Sequence, residues 1–474
     1  MFSLITQHRK LSFFVAFLLI LGVSGYFLLP GFLKSNSTEI ARTSMAIIKN
    51  VSKILPIEAD TKKEIDAIGT LVSKFTETDG KTHVFFLMLQ NNYELRPGGG
   101  FLGQYAILKI KDGKILSFVF EDANLLDQRI KDANIKITPP WPLTRYGQVR
   151  RWLLHDSNFS PDFPTNAAKA EYFYRLGGGR EKFDGVFAIN ADVLNHVIGI
   201  TGPITIPGFG TYTSENAAIM LEEDVEKDFL GEDVPAELKQ NRKNVMKRLA
   251  AEIVRHISSL NDVKKIADLG LEELRNKNIQ LFFKDAELQN VVAGVYWDGS
   301  VAKDWGGDFL MVVDANIGAK KSDYYVKRSL DYVVDFTGTK GVATLTYHYN
   351  HTATYGDWRT SDYHTYTRVF APTGSKYIEG SRQKTGGVST ANDTTFKKTI
   401  FSYKVDALMN QTLPTSIQYE LPETITADNY QLLIQKQSGT GDIPVKVTLK
   451  TTEGEFSQEA TLKKDIRFSF AKAQ

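Results

Sequence analysis

The longest apolar run of the sequence lies between Leu11 and Leu33 and contains no charged side chain. Because an α-helix rises about 1.5 Å per residue, roughly 20 apolar residues cross the ~30 Å hydrocarbon core of a bilayer. Basic side chains at positions 8–10 directly precede the run, and this bias keeps residues 1–10 in the cytoplasm. We therefore predict a single-pass anchor over residues 11–33 that holds an extracellular body at the cell membrane. A cleaved signal peptide is the alternative, because small residues lie where a peptidase could cut.

Helical periodicity follows the anchor. From residue 35 to residue 78, apolar side chains recur at three- and four-residue steps, with an interruption at Pro56. This pattern predicts two helices over residues 35–78 that form a stalk or a membrane-proximal cap. The continuous apolar run HVFFLMLQ, from His83 to Gln90, then predicts a strand that is buried on both faces of a sheet.

Residues 80–320 alternate between strand-like and helical patterns. Two strand-like runs flank Asp112-Gly113, which is a strong hairpin signal, and an irregular stretch over residues 122–163 precedes a helix that begins near Pro164. The strand-like run FDGVFAIN is followed by several helical stretches, and NIQLFFK and DFLMVVDAN return the chain to a sheet. This order predicts an α/β/α layered domain with a mixed central sheet.

The pattern changes after residue 320, where helical periodicity gives way to alternating Tyr, Thr and Val in runs such as VATLTYHYN and TIFSYKVDA. Short strands at regular spacing predict an all-β sandwich over residues 322–474, so that the fold class of the whole chain is α/β. The many aromatic residues of this region fit packing better than a sugar-binding face, because Tyr and Phe are common in strands.

Composition excludes several classes of function. The formal net charge is +2 and no long basic run is present, so we expect no nucleic-acid partner. The absence of cysteine excludes disulfides and a thiol nucleophile. The sequence also lacks an HExxH zinc pair, a GxSxG elbow and an EF-hand loop. Paired carboxylates of the glycosidase kind stay open, because their separation in space cannot be read from the sequence.

The first candidate site is the segment NNYELRPGGG, residues 91–100, at the end of the strand that closes with Gln90. Glycines let backbone N–H groups face an anion, and a planar guanidinium can grip a phosphate or carboxylate. We predict ligand binding by the polar residues and glycines of this segment: Asn91, Asn92, Glu94, Arg96, Gly98, Gly99 and Gly100. The segment is not a nucleotide loop, because it lacks GK[ST] and no helix is predicted after it. A tight turn in which Arg96 pairs with Glu94 is the structural alternative.

The second candidate site lies in the polar stretch that follows the hairpin. Carboxylates suit a hard cation such as magnesium, and clustered arginines suit a polyanion such as a diphosphate. The residues we single out are Asp122 and Asp156 for the metal and Arg129, Arg150 and Arg151 for the ligand. Asp162 has a structural explanation, because an acidic residue before Phe163-Pro164 is typical of a helix N-cap.

Several blocks of the sequence resemble one bacterial family. ELRPGGGF, HDSNFSPDFP, FDGVFAINADVLNHVIGITGPITI and DANIGAKKSDYYVKRSLDY follow one another in the order found in domain of unknown function 4012. The resemblance covers roughly residues 80–340, with a similar sandwich-like tail behind it. The family's name implies no activity.

A more distant resemblance does imply an activity. The order of elements is similar to that of LytR-CpsA-Psr proteins, which are membrane-anchored and transfer glycopolymers from polyprenyl diphosphate carriers to the cell wall. The resemblance implies that Arg96 binds phosphate and that Asp122 matches the aspartate after the hairpin, which would make these two the catalytic residues. The chain departs from that family at Phe101-Leu102-Gly103-Gln104, where an acidic metal ligand is expected.

The leading hypothesis from the sequence is therefore that the α/β domain binds or transfers a lipid-linked glycan at the outer membrane surface. Arginines would hold the diphosphate and magnesium would be the one cofactor, with the charge of the departing diphosphate stabilised by both. The alternative is a non-enzymatic protein that binds or scaffolds cell-envelope material such as a wall polymer. In that case the glycine segment and the sandwich serve as structure.

Overall fold

The structure is a computed structural model, and it describes residues 59–226, 236–259, 263–379 and 387–470. Within these four ranges, no helix is both long and apolar enough to cross a membrane. The predicted cytoplasmic tail, the predicted span over residues 11–33 and the first part of the predicted stalk lie outside the described residues.

The chain forms two compact units, and each unit is assembled from separate stretches of sequence. The first unit takes the described residues of Met1–Gln90, Gly103–Leu126 and Gly177–Asp298. The second unit takes Asn91–Leu102, Asp127–Leu176 and the described residues of Gly299–Gln474. The glycine segment therefore belongs to the second unit, although it directly follows a strand of the first.

A mixed five-stranded sheet is the centre of the first unit. The strands of this unit are β1 (Thr82–Asn91), β2 (Phe101–Lys111), β3 (Lys114–Asp122), β4 (Gly185–Asn190), β5 (Ile204–Ile206), β6 (Gly210–Tyr212) and β7 (Ile279–Phe283). The sheet has the order β3-β2-β1-β4-β7, and β5 and β6 form a separate hairpin. β1 and β4 are parallel, whereas β3 and β7 are antiparallel to their neighbours β2 and β4. The predicted mixed sheet and the hairpin at Asp112-Gly113 are confirmed.

Helices pack against this sheet and complete the core of the first unit. Phe85 of β1, Phe187 of β4 and Phe283 of β7 form an aromatic row, with ring centroids 5.0 Å apart for the first pair and 5.3 Å for the second. Leucines and isoleucines from the helices join the same cluster. The helices of this unit are Ala59–Phe75, Asp192–Thr201, Ala217–Glu226, Ala236–Ser259, Val263–Arg275 and Ala286–Gly294, whereas the helix Ala123–Asp132 begins in the first unit and ends in the second.

The first described helix, Ala59–Phe75, lies within the predicted stalk region but packs into this core. Its Ala67, Leu71 and Val72 are buried. Glu64 on the same helix pairs with Arg275 at the end of Val263–Arg275. The spacing of the apolar residues therefore reflects burial against the first unit, and this part of the stalk region is a component of a globular core.

Two six-stranded sheets form the second unit. Their strands are β8 (Asp308–Asn316), β9 (Val326–Asp335), β10 (Val342–His351), β11 (Tyr363–Pro372), β12 (Lys376–Tyr377), β13 (Ser389–Asp393), β14 (Lys398–Ala407), β15 (Gln411–Glu420), β16 (Gln431–Ile434), β17 (Ile443–Thr451), β18 (Gly454–Leu462) and β19 (Ile466–Ser469). One sheet has the order β12-β15-β10-β9-β17-β18 and the other β13-β14-β11-β8-β16-β19. Buried side chains from both sheets form one cluster, as the predicted strand-rich C-terminal part requires. This unit also contains the helices Trp141–Arg145 and Phe163–Leu176 and three short 3-10 turns at Leu154–Asp156, Ser322–Tyr324 and Ala427–Asn429.

The strand DFLMVVDAN differs from its predicted place in the α/β sheet. As β8, it pairs with β11 and β16 and lies in the second unit. All nine of its residues are buried. A strand covered on both faces has the same continuous apolar pattern in either kind of sheet, so the pattern alone cannot assign it to one of them.

The stretch predicted to be irregular, residues 122–163, contains two helices and a 3-10 turn. The helix Ala123–Asp132 buries Ala123, Leu126 and Ile130, which are spaced by three and four residues. Asp122 begins it, because its side chain accepts a hydrogen bond of 2.9 Å from the backbone N–H of Asn124. Only three apolar positions in a polar stretch carry the helical period, which is too weak a pattern to predict a helix from the sequence.

We predict that Leu71→Ala lowers the free energy of unfolding by about 2–5 kcal/mol, because the substitution leaves a cavity in the core of the first unit. Ser73→Ala, at an exposed position of the same helix, is the matched control and should change it by less than about 0.5 kcal/mol. Chemical denaturation of the full-length protein measures both. Equal stabilities of the two variants would show that the helix is not part of the core.

Candidate functional site

Arg96, the residue on which the predicted site depends, is buried in the second unit and bound by protein groups. Its Nε donates to Asp156 Oδ1 at 2.7 Å and its Nη2 donates to Glu94 Oε1 at 2.8 Å. Its Nη1 contacts the backbone carbonyls of Leu95 and Asn316 at 3.4 and 3.2 Å. Only 6% of Arg96 is exposed. The two carboxylates and two carbonyls therefore occupy the face that a phosphate would need.

Asp156 extends this contact into a row of alternating charges. Its second oxygen lies 3.3 Å from Nε2 of His155, and Nδ1 of His155 lies 2.5 Å from Oδ2 of Asp127. The other oxygen of Asp127 accepts a hydrogen bond from the backbone N–H of Leu154 at 2.8 Å. We call the five residues Glu94, Arg96, Asp156, His155 and Asp127 the charge row. Each cation in it stands between two carboxylates.

Burial and pairing act in opposite directions on the charge row. Burial alone would lower the pKa of Arg96, but Asp156 and Glu94 outweigh it and the pKa is raised. Burial raises the pKa of Glu94, whereas for Asp156 the effect of burial is overcome by Arg96 and His155, so its pKa falls well below the usual range. Burial would lower the pKa of His155, but hydrogen bonds to Asp127 and Asp156 raise it to about 9. His155 is therefore a cation at neutral pH.

The glycine run is explained by close packing. The backbone N–H of Gly98 donates to the carbonyl of Asn158 at 3.0 Å, and the side chain of Asn158 donates back to the carbonyl of Gly100. A Cβ at Gly98 would collide with the side chain of Asn166, and a Cβ at Gly100 would collide with the backbone of Asn91. Gly99 has φ 137°, a conformation that favours glycine. The blocks ELRPGGGF and NFSPDFP therefore interlock, and the N–H groups of Gly98 and Gly99 are used within the protein.

The same segment is hydrogen-bonded to the β-sandwich through Leu95, next to a second buried arginine, Arg328. The N–H of Leu95 donates to Oδ2 of Asp323 at 3.0 Å, and the carbonyl of Leu95 accepts from the N–H of Asn316 in β8 at 3.0 Å. Arg328 in turn pairs with Asp323 at 2.6 Å and with Asp314 at 2.9 Å. Arg328, like Arg96, is thus a buried cation held between two carboxylates.

The remaining residues of the predicted first site also make contacts inside the second unit. The side chain of Asn91 accepts from the N–H of Tyr93 at 3.0 Å, and that of Asn92 donates to the carbonyl of Gly439 at 3.3 Å. The structure therefore brings together Asn91, Asn92, Glu94, Arg96, the three glycines and Asp156. Their arrangement matches the structural alternative of a tight turn in which Arg96 pairs with Glu94.

The two residues predicted to hold magnesium belong to different units. Asp122, in the first unit, caps the helix Ala123–Asp132, whereas Asp156, in the second, has both oxygens bound by Arg96 and His155. Across the described residues, no group of three or more His, Asp or Glu side chains is placed to hold a metal ion. The described side chains around Asp122 and Asp156 therefore do not fit magnesium.

The predicted ligand-binding arginines outside the glycine segment lie at the surface of the second unit. Arg129 and Arg150 are exposed, and Arg151 is partly exposed. Nη1 of Arg151 donates to the carbonyl of Lys131 at 3.3 Å, which draws the end of the loop back onto the helix Ala123–Asp132. This contact places Arg151 beside the last turn of a helix whose basic residues are Arg129 and Lys131.

Asp162 begins the helix Phe163–Leu176 as predicted. Its Oδ2 accepts from the backbone N–H of Thr165 at 3.1 Å, and its Oδ1 accepts from the N–H of Val301 at 3.1 Å. The group Asp314, Asp323 and Arg328 was not among the site residues predicted from the sequence. A usable signal was present, because Asp314 is the single charge inside an otherwise apolar strand core and a charge there needs a partner.

Comparisons with known proteins identify a family for part of the chain. Residues 79–225 match the model of the family described as "Protein of unknown function (DUF4012)". Both interlocked blocks lie in the matched region, whereas the resemblance expected for residues 226–340 stays a prediction. The more distant resemblance to LytR-CpsA-Psr proteins is not confirmed. No curated protein matches the sequence.

Two similar solved structures come from bacteria. The Lin1025 protein of Listeria innocua is 14% identical, with 46% of this chain and 79% of that chain covered and a TM-score of 0.24. Protein gbs0355 of Streptococcus agalactiae is 15% identical, with 48% and 76% covered and a TM-score of 0.26. At these TM-scores neither likeness bears on the fold or the function of this chain.

We predict that the stability of the protein falls as the pH rises from about 6.5 to 9. The imidazolium of His155 has a pKa of about 9 in the fold against 6.5 in the unfolded chain. Its contribution to the free energy of unfolding, on the order of 3 kcal/mol, is therefore complete below pH 6.5 and lost as the pH passes 9. Denaturation midpoints between pH 6 and 9.5 measure it, and His155→Asn should remove this part of the pH dependence. A His155 that titrates near 6.5 by NMR would contradict the charge row.

Proposed function

We propose, on the premise that residues 79–225 belong to the family of unknown function 4012, that this chain is a membrane-anchored binding protein of the cell envelope. It holds a phosphate-bearing envelope polymer or lipid-linked glycan at the outer membrane surface without transferring it. In this proposal Arg96 and the glycine segment are structural, and surface arginines make the contacts to the ligand.

The proposed location follows from the apolar run over residues 11–33. An uncharged stretch of this length with basic residues before it is the pattern of a single-pass anchor with a cytoplasmic N-terminus. A body outside the membrane has no ready supply of cytoplasmic nucleotides and is well placed for membrane-borne or wall-bound ligands.

The observation that carries the proposal is the pairing of Arg96 with Glu94 and Asp156. A transferase acting on a polyprenyl diphosphate would need this guanidinium to face the diphosphate. Turning Arg96 away from its partners would leave Glu94 and Asp156 buried without their shared cation, and removing one partner of a buried ion pair costs about 3–5 kcal/mol. The geometry therefore supports binding through other residues.

Arg129, Arg150 and Arg151 are the cations that the second unit presents for this purpose. A guanidinium forms two parallel hydrogen bonds to a phosphate, and such charge-assisted bonds are about twice as strong as neutral ones. Since Arg129 and Arg150 are exposed and Arg151 is partly exposed, a ligand can reach them without opening the core. Binding at an exposed site should weaken with added salt, because ions screen exposed charges over about 10 Å at 0.1 M.

We predict that Arg150→Gln with Arg151→Gln weakens binding of the full-length protein to vesicles that contain polyprenyl diphosphate by tenfold or more. The reason is the loss of two sets of charge-assisted hydrogen bonds, each contributing about 1.5–3 kcal/mol. Vesicle co-sedimentation measures the binding. Arg180→Gln with Lys182→Gln removes two other exposed charges and is the matched control.

Equal binding by the test variant and the control would overturn the proposal that these arginines hold the ligand. A second measurement distinguishes binding from transfer. The full-length protein is incubated with polyprenyl-diphosphate-linked glycan and an acceptor wall polymer, and the glycan attached to the acceptor is measured. The proposal expects no glycan to move to the acceptor. Transfer that is lost in Arg96→Lys while the fold is retained would support the transferase hypothesis instead.

A further inference from the structure

Arg96, Arg328 and Arg368 of the second unit each donate hydrogen bonds to groups inside this unit. Arg368 differs from the other two in its lack of a carboxylate partner. Arg96 is paired with two carboxylates and so is Arg328. Arg368, in β11, has no carboxylate within ion-pair distance among the described residues. Its Nη2 donates to the carbonyl of Phe159 at 3.2 Å, and its Nε is buried without a hydrogen-bond partner. Arg368 as a whole is only partly buried, unlike Arg96 and Arg328, so a ligand at the surface can reach its side chain.

This difference is reflected in the proton affinity of the three side chains. The carboxylates raise the pKa of Arg96 and of Arg328 in spite of their burial. For Arg368, burial lowers the pKa to about 10, and the nearby Tyr366 and Asp393 do not offset it. An uncompensated charge in such a place is unfavourable, and proteins normally pair it.

The surroundings of Arg368 are aromatic. Its guanidinium lies 5.4 Å from the ring centroid of Phe159 and 5.9 Å from that of Phe370. Tyr366 is two residues before Arg368 in β11 and points to the same face of the sheet. Ser402 of β14 is the register partner of Arg368 and can donate a hydroxyl hydrogen bond on that face.

Two aromatic residues, the exposed Trp141 and the partly buried Tyr146, adjoin Tyr366. Trp141 packs edge-on against Tyr366 with centroids 5.4 Å apart, and Tyr146 lies 5.9 Å from Tyr366. Trp141 is 54% exposed, an unusual position for a large indole that contacts other rings. The guanidinium of Arg145 lies 5.9 Å from the Tyr146 ring and adds positive charge beside the pair. Lys404 also lies near Tyr146, but it is paired with Asp406.

We propose that Arg368 and Trp141 form a binding site for an anionic saccharide. The unpaired guanidinium of Arg368 takes a carboxylate or phosphate substituent, and the exposed face of Trp141 stacks on a sugar ring. Tyr366 and Arg368 are about 7 Å apart along the strand, so one or two sugar units span the site. The inference rests on the proposed function for the class of ligand, and it adds residues that do not belong to the arginine group 129, 150 and 151.

The test uses the full-length protein in detergent and three probes: oligogalacturonate, which carries a carboxylate on each sugar, its neutral methyl ester, and tripolyphosphate, which has charge but no rings. Calorimetry should show that the protein binds oligogalacturonate at least tenfold more tightly than the methyl ester. Arg368→Gln should remove this preference. Trp141→Ala should weaken binding of both saccharides severalfold and leave tripolyphosphate binding unchanged. Tyr355→Ala, at an aromatic residue 69% exposed elsewhere in the second unit, is the matched control.

Unchanged oligogalacturonate binding in Arg368→Gln or in Trp141→Ala would overturn the inference. The melting temperature without ligand distinguishes a ligand-binding arginine from one that only stabilises the fold. Without ligand, Arg368→Met should melt at the same temperature as the wild type or higher, because an unpaired charge has been removed. A lower melting temperature without ligand, together with unchanged saccharide binding, would show that Arg368 only supports the fold.

The two proposals can fail separately. Loss of vesicle binding in Arg150→Gln with Arg151→Gln, together with unchanged saccharide binding in Arg368→Gln, would leave the proposed function in place and reject this inference. Loss of saccharide binding in Arg368→Gln, together with unchanged vesicle binding in the double variant, would support this inference and reject the role of Arg150 and Arg151 in the proposed function.

Discussion

The ion pairs of Arg96 with Asp156 and Glu94 are the interaction on which the second unit depends. A guanidinium buried to this degree must have its charge compensated, and here two carboxylates from separate blocks of sequence supply the compensation. The buried position of Arg96 therefore requires Asp156, which lies 60 residues further along the chain. Hydrogen bonds between Gly98, Asn158 and Gly100 then close the contact.

The same arrangement, a cation between two carboxylates, recurs at two more residues of the second unit, Arg328 and His155. Leu95 is hydrogen-bonded to Asp323, and Asp323 forms an ion pair with the second buried arginine, Arg328. His155 continues the alternation in the other direction toward Asp127. The blocks ELRPGGGF and HDSNFSPDFP, which carry the most specific sequence pattern, thus form a network of buried ion pairs and hydrogen bonds. Its specificity reflects the demands of buried charge, which tolerate few substitutions.

Much of the architecture could be predicted from the sequence, because periodicity and turn chemistry are local. The strand β1, the hairpin at Asp112-Gly113 and the cap at Asp162 are examples. The role of Arg96 could not be predicted, because a guanidinium that faces a ligand and one that faces a carboxylate 60 residues away have the same sequence context. The same limit applies to β8, whose partners come from distant parts of the chain.

The contrast among the three arginines connects structure to function. Arg96 and Arg328 are neutralised by the fold, so their chemistry is complete within the protein. We propose that ligand binding falls instead to surface arginines and to Arg368, which has no carboxylate within ion-pair distance among the described residues. In this proposal an anionic ligand binds at the surface, and the ion pairs of Arg96 and Arg328 stay in place.

A double-mutant cycle on Arg96 and Asp156 tests the central claim most directly. Arg96→Met, Asp156→Leu and the double variant are compared with the wild type by chemical denaturation of the full-length protein. Each single substitution should cost about 3–5 kcal/mol, and the double variant should cost clearly less than their sum, because the second substitution removes a charge that the first left unpaired. Costs that add to within about 0.5 kcal/mol would contradict the account, since they would show that the two side chains do not stabilise the fold through each other.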